Sequence, residues 1–343
     1  MSPITNNTMQ VKKMNLELVR QALKSMKQGT KSMVAQATGL SVATCGNMLN
    51  ELLDTGELFE LDLEESSGGR PAKLYQYNVN YSYIACMIIQ AGVETHSLNY
   101  RVANLAGETI SEGGLEAAQM NAGVIEEEVD RLLSLYPQIR AVGIGVPGAV
   151  YEGVINLCDI PELVNVPLMD RIHEKHNIGV LIENDMNSTV YGFYRKQEYE
   201  EDKSVAVVTF VEGSFPGAGI MVDGHIHRGN TRFAGEISFL PFGMSREEQL
   251  RQLHNRDTFP HLSAWAISSL IAVMNPETIA LTGSLIQPPD VQMIRLECLK
   301  YIPEMHVPQL TLLEHPEEDY MYGLITMTLE SLSYSLQLVE KRR

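Results

Sequence analysis

The sequence predicts an α/β body behind a small helical head, and three observations carry this. Ala35, Gly39 and Ser41 have the spacing of two helices packed about a tight turn. From Tyr83 onward, short apolar runs alternate with helical periods, and charge is divided unevenly between the two regions. Ala35 leaves room for a partner helix, and Gly39 can take the positive φ that the turn needs.

Within the head, Leu16, Val19, Leu23 and Met26 form one stripe, which predicts a first helix over Asn15–Lys27. In the second helix Met33, Val34 and Ala37 are expected to face the core, and in the third Cys45, Met48, Leu49, Leu52 and Leu53. That leaves Ser41, Ala43, Thr44 and Asn47 on the outward N-terminal face of the third helix, the end that meets base edges in a major groove. Leu58–Leu61 and Lys73–Tyr77 alternate like the strands of a hairpin around Gly68-Gly69-Arg70-Pro71. An arginine on such a framework suits a narrow minor groove, with a solvated turn as the alternative.

The chain's formal net charge is −17, which argues against general affinity for nucleic acid. Residues 1–50 differ, setting Lys12, Lys13, Arg20, Lys24, Lys27 and Lys31 against the single acid Glu17. A basic head on an acidic body is what a DNA-binding module fused to something else should look like. The length of 343 residues suggests two or three domains. No stretch reaches the ~18–20 uncharged apolar residues of a membrane span, and the N-terminus lacks a signal-peptide pattern. Cys45, Cys86, Cys158 and Cys298 lie far apart without CxxC spacing and read as reduced core residues of a cytoplasmic protein.

In the body, Ile84–Ile89, Ala141–Val146, Val180–Ile182, Val205–Val211 and Thr278–Thr282 read as strands. Ala106-Gly107 reads as a hairpin turn, Glu126–Tyr136 as a helix, and Tyr320–Arg343 as a long terminal helix.

Gly143-Ile-Gly-Val-Pro-Gly148, Glu183-Asn-Asp-Met-Asn187, Gly217-Ala-Gly219, Asp223-Gly224, Arg228-Gly229, Ala234-Gly-Glu236 and Asn275-Pro276 leading to Gly283 occur in that order. The series resembles the ROK family, named for repressors, open reading frames and sugar kinases. The head with Gly-Gly-Arg-Pro is similar to that of the family's transcriptional repressors. The resemblance implies a winged helix-turn-helix over residues 1–80 and an actin-like, ribonuclease-H-like, two-lobed ATPase-type body. Lobe 1 would be 81–184 with the C-terminal helix 320–343, and lobe 2 would be 185–319. Sugar and, in the kinases, ATP would lie between the lobes, with Asp159, Asn184, Asp185 and Glu236 as ligand-binding positions and Asp185 at the place of the family's catalytic base.

Departures from the family pattern favour a regulator. Gln90–His96 lacks the Asp of the first phosphate hairpin, and Glu212–Gly219 carries Phe215 and Pro216 in the second phosphate loop. Proline removes an N–H donor and phenylalanine adds bulk, while phosphoryl transfer rests on positioning and charge stabilisation. ATP binding and catalysis are therefore not expected, nor any cofactor. Asp185 would instead accept a hydrogen bond from a ligand hydroxyl, and Asn184 and Asp185 would also suit the cap of the following helix. Phe239 stands at the position of the family's zinc-binding His, and no cysteine lies between Cys158 and Cys298, so no metal is expected. Asp159 replaces a usual Asn and Leu163 a common Trp. His254 and His261 read as surface or core residues, and the charged run Arg246–Arg256 as a solvated face.

The expectation is a cytoplasmic repressor that binds a double-stranded operator. It would respond to a sugar or sugar derivative and assemble as a homodimer or tetramer, so that paired heads meet a pseudo-palindrome. An ATP-dependent sugar kinase with unusual phosphate loops, and a ligand-free scaffold, are the alternatives.

Overall fold

A computed structural model describes residues 5–61 and 73–332, with side chains from Met9 onward. The expected turn at Gly68–Pro71, with Arg70, lies outside the described residues, as does the chain beyond Leu332. The described chain forms two compact units. One holds the residues up to Tyr83, Asn104–Glu108 and the chain from Leu329; the other holds Ile84–Ala103 and Thr109–Thr328.

The first unit begins with α1 (Thr5–Met26), β1 (Gln28–Thr30), α2 (Lys31–Thr38) and α3 (Val42–Asp54), and continues with β2 (Leu58–Leu61) and β3 (Leu74–Tyr77). Gly39 takes φ 70° and returns its N–H to Ala35 O, closing α2, while Ser41 caps α3 through its hydroxyl. Val19, Leu23, Val34, Leu49, Leu52 and Tyr75 are fully buried together. Helix α1 starts ten residues before the expected Asn15, because its first turns are held by helical geometry and expose Met9, Val11 and Met14. Helix α2 buries Val34 and Ala35, whereas Met33 and Ala37 are exposed, contrary to the stripe read from the sequence. Two turns contain too few positions for a period to decide which edge faces the core. Strand β1 is a further correction: three residues centred on glycine show no alternation, yet they pair antiparallel with β3 in the sheet order β1-β3-β2.

In the second unit β4 (Tyr83–Gln90), β5 (His96–Asn104), β6 (Thr109–Ala117), α4 (Ala122–Leu135) and β7 (Ile139–Val146) come first. A hairpin follows, β8 (Gly148–Tyr151) with β9 (Val154–Cys158), then α5 (Leu168–His176), β10 (Gly179–Asn184) and α6 (Asp185–Lys196). The first five-stranded sheet has the order β10-β7-β4-β5-β6, with β10 and β7 parallel. The remaining elements are β11 (Val205–Thr209), β12 (Gly217–Val222), β13 (His225–Ile226), α7 (Arg246–His254), α8 (Phe259–Met274), β14 (Thr278–Thr282), α9 (Pro288–Cys298), β15 (Gln309–Leu312) and α10 (Pro316–Leu332). They give a second sheet, β13-β12-β11-β14-β15, covered by α8, whose Phe259 meets Phe210 edge-on at 5.3 Å.

Helix α10 returns to the first sheet from far along the chain. Gly143 and Gly145 of β7 leave the space that Thr328 and Tyr320 occupy, and Cys86 of β4 donates to Thr328 Oγ1 at 3.5 Å. Helices α6 and α10 cross where Gly192 faces the backbone of Asp319 and Gly323 faces that of Ser188. A methyl group at either glycine would collide with a carbonyl oxygen, so only glycine permits this approach.

Candidate functional site

Parallel strands β7 and β10 end side by side, and the chain turns there into Pro147-Gly148 and into α6. Ligands commonly bind at such carboxyl ends. A cavity of about 800 Å³ opens at this point, and Asp159, Asn184, Asp185 and Glu236, drawn from three separate segments of the sequence, all line it.

Asn184 is the N-cap of α6, accepting from Asn187 N at 2.9 Å, while its Nδ2 donates to Gly148 O at 3.0 Å and to Asp185 Oδ1 at 2.9 Å. Asp185 Oδ1 also accepts from Met186 N at 2.8 Å, which leaves Oδ2 without a protein partner among the described residues. Capping and site-building are thus the same arrangement, with the amide orienting the carboxylate. One position earlier, buried Glu183 accepts from Asn187 Nδ2 at 3.0 Å and from Arg228 Nε at 3.0 Å, tying the end of β10 to the loop after β13.

Among the acids that line the cavity, Asp159 raises both Asp185 and Glu236. Burial pushes Asp185 up to about 7, and the charges of Asp159 and Glu236 add to the shift. Burial raises Glu236 as well, with Asp159 raising it further and Arg246 opposing. Partial burial also raises Asp159. No group of three or more His, Cys, Asp or Glu side chains among the described residues has metal-holding geometry.

The loops expected to have lost phosphate binding use their own donors. Glu212 N–H donates to Ser284 Oγ at 2.8 Å, Gly213 N–H to His254 Nε2 at 3.1 Å, and Ser214 N–H to Val211 O at 3.2 Å, while Pro216 has none to offer. His254 bonds Leu250 O through Nδ1 at 2.7 Å, so Nε2 is the acceptor of a neutral ring. In the β4–β5 turn, Gly92 N–H donates to His96 Nδ1 at 3.3 Å.

Arg246 is exposed, as expected of a solvated charged run, and it also borders the cavity. Its guanidinium lies 3.5 Å from the centroid of Phe215 and 4.4 Å from that of Phe239, on the cavity wall. Arg256 of the same run pairs with buried Asp290. The sequence offered no signal for Arg246, because Phe215 comes from a loop 31 residues earlier and Phe239 meets it only through the fold of the segment just before α7. His254 was equally hidden, since its role depends on a loop that packs against the end of α7.

On the head, Ser41 Oγ accepts from Thr44 N at 3.1 Å and meets Thr44 Oγ1 at 2.8 Å, while Ala43 and Asn47 are exposed on the same end of α3. The basic surface is smaller than the sequence suggests. Arg20 is bound bidentately by Glu57 at 2.8 and 3.0 Å, and Lys12 pairs with Glu51 at 2.8 Å.

The ROK family model matches residues 88–250, the span that carries Asp159, Asp185, Glu236 and Arg246. The chain carries a ROK family domain. A xylose repressor of Caldicellulosiruptor bescii is 31% identical over 246 residues, which are 68% of this chain and 59% of that relative. The Bacillus subtilis xylose repressor is 24% identical over 242 residues, 67% of this chain and 61% of the relative. The chain spans about three-fifths of the length of these curated relatives. Among solved structures, a ROK family transcriptional regulator, a homologue of the E. coli MLC protein, shares 17% identity with TM-score 0.68 over 94% of this chain and 97% of that one. A ROK glucokinase from Streptomyces griseus, in complex with glucose and AMPPNP, shares 15% identity with TM-score 0.55 over 73% and 100%. These likenesses show that the ROK domain has the α/β, sugar-kinase-like, actin-like fold.

Proposed function

We propose that this chain is a transcriptional repressor of sugar metabolism, acting in the cytoplasm as a homodimer or tetramer without catalysing phosphoryl transfer. The observation that carries the reading is a cavity that keeps its hydroxyl acceptors while its phosphate-loop donors are occupied internally. Asp185 Oδ2, Asp159 and Glu236 would accept hydrogen bonds from a polyhydroxylated effector, with Asn184 as the positioning residue. A bound nucleotide would find few free backbone N–H groups to replace its hydration.

The first unit would bind DNA as a winged helix-turn-helix, with Ser41, Ala43, Thr44 and Asn47 at base edges and Arg70 in the adjoining minor groove. The capped, exposed start of α3 supports this reading. The relatives named xylose repressor make pentoses the first effectors to try.

Selection from random duplexes at modest salt, followed by footprinting, tests the DNA half; failure to retain any sequence above the random pool would refute it. A thermal-shift screen of xylose, other sugars and MgATP tests the sensing half, because a ligand that binds only the folded state raises the melting temperature. Turnover of sugar with MgATP, abolished by Asp185→Ala, would replace the repressor with a kinase.

A further inference from the structure

We propose that the effector is an anionic sugar derivative, a sugar phosphate or sugar acid, whose negative group is received by Arg246 beside Phe215 and Phe239. This rests on the reading of the cavity as an effector site and adds the ligand's charge and orientation. The guanidinium carbon lies 3.5 Å from the Phe215 centroid and 4.4 Å from that of Phe239, within cation–π range of both rings. The planar guanidinium presents its polar donors as a fork of N–H groups along its edge.

One corner of that edge is used inside the protein, where Nη1 donates to Ser238 O at 2.7 Å and to Gln249 Oε1 at 3.4 Å. Nε and Nη2 have no partner among the described residues. Glu236 is close enough to act on Arg246 electrostatically, yet the two form no ion pair. The cavity therefore holds guanidinium donors without a partner among the described residues as well as a group of carboxylate acceptors. A neutral sugar can satisfy the acceptors through its hydroxyls, but it offers nothing charged to the edge. A ligand with hydroxyls at one end and a phosphate or carboxylate at the other satisfies both, and a planar fork of donors matches either anion. The acids also fix direction, since an anion would be repelled from the Asp185 end.

Calorimetry on the full chain distinguishes the possibilities with xylose, xylonate, glucose, glucose 6-phosphate and glucosamine. At least about tenfold tighter binding of xylonate or glucose 6-phosphate than of its neutral parent is expected, as for a charge-assisted hydrogen bond. The two anions tell carboxylate from phosphate. Arg246→Gln should abolish the preference while leaving the affinity for the neutral parent within about twofold, which also shows that the variant is folded; Arg246→Lys should restore part of it. Equal or tighter binding of the neutral parent or of glucosamine, or a preference that survives Arg246→Gln, overturns the proposal while the effector site stands. Binding of no sugar of either kind removes the effector site itself.

Discussion

Replacing Asp185 by asparagine should stabilise the body, and the gain should grow with pH. The folded carboxyl titrates near 7 against an ordinary value of 3.8, so between those values the folded protein binds more protons than the unfolded chain. Stability then falls as pH rises from about 4 to about 7 and is level above that. At ~1.36 kcal/mol per unit, the penalty for holding the carboxylate is about 2 kcal/mol at pH 5 and about 4 kcal/mol at pH 8. Asp185→Asn keeps an Oδ1 for the Met186 N–H and Asn184 Nδ2 bonds at 2.8 and 2.9 Å while removing the charge that faces Asp159 and Glu236. Melting curves of both proteins at pH 5 and pH 8 provide the assay. The variant's advantage should be roughly 5–10 °C larger at pH 8 for a unit of this size. An equal shift at both pH values, or a loss at pH 8, would refute the argument that burial and like charge raise this carboxyl.

Three further outcomes are expected. Asn47→Ala should relax base preference at one operator position by about 1–3 kcal/mol with little change in salt dependence; an unaltered footprint would exclude α3 as the reading element. Gly192→Ala should destabilise the body by about 2–3 kcal/mol through overpacking against Asp319, seen as a lower denaturation midpoint, and an unchanged midpoint would mean that the helices separate easily. Millimolar MgATP should leave the melting temperature where it was, because a nucleotide at a hundred times its Kd would add about 2.7 kcal/mol and be plainly visible.

The buried strands were legible in the sequence because Ile84–Ile89 and Ala141–Val146 are continuous apolar runs, and the turn at Gly39 because its conformation favours one residue type. The acidic half of the cavity was legible as ordered motifs, each placed at the end of a recognisable strand or turn. Its other half was not. Arg246 lies in a polar run whose period says only that the helix is exposed, and its ring contacts depend on Phe215, 31 residues earlier, and on how the segment holding Phe239 folds back toward it. His254 and Ser284 close the loop at Glu212 and Gly213 across separations of 41 and 72 residues, which no local pattern records. Glu183 was visible as part of a motif, but its pairing with Arg228, 45 residues on, is a property of the assembled sheets.

The lodging of Thr328 and Tyr320 over Gly143 and Gly145 bears on how the chain is made. Cys86 and Thr328 touch across 242 residues, so the first sheet waits for the last described helix before its glycine-lined face is covered. During synthesis that face stays bare while nearly all the remaining body emerges from the ribosome, a long interval for an unfinished sheet to misassociate. A premature stop before Pro316 would leave this exposure permanent. Nonsense mutations late in the gene should therefore give insoluble or degraded protein in place of a shortened, working one.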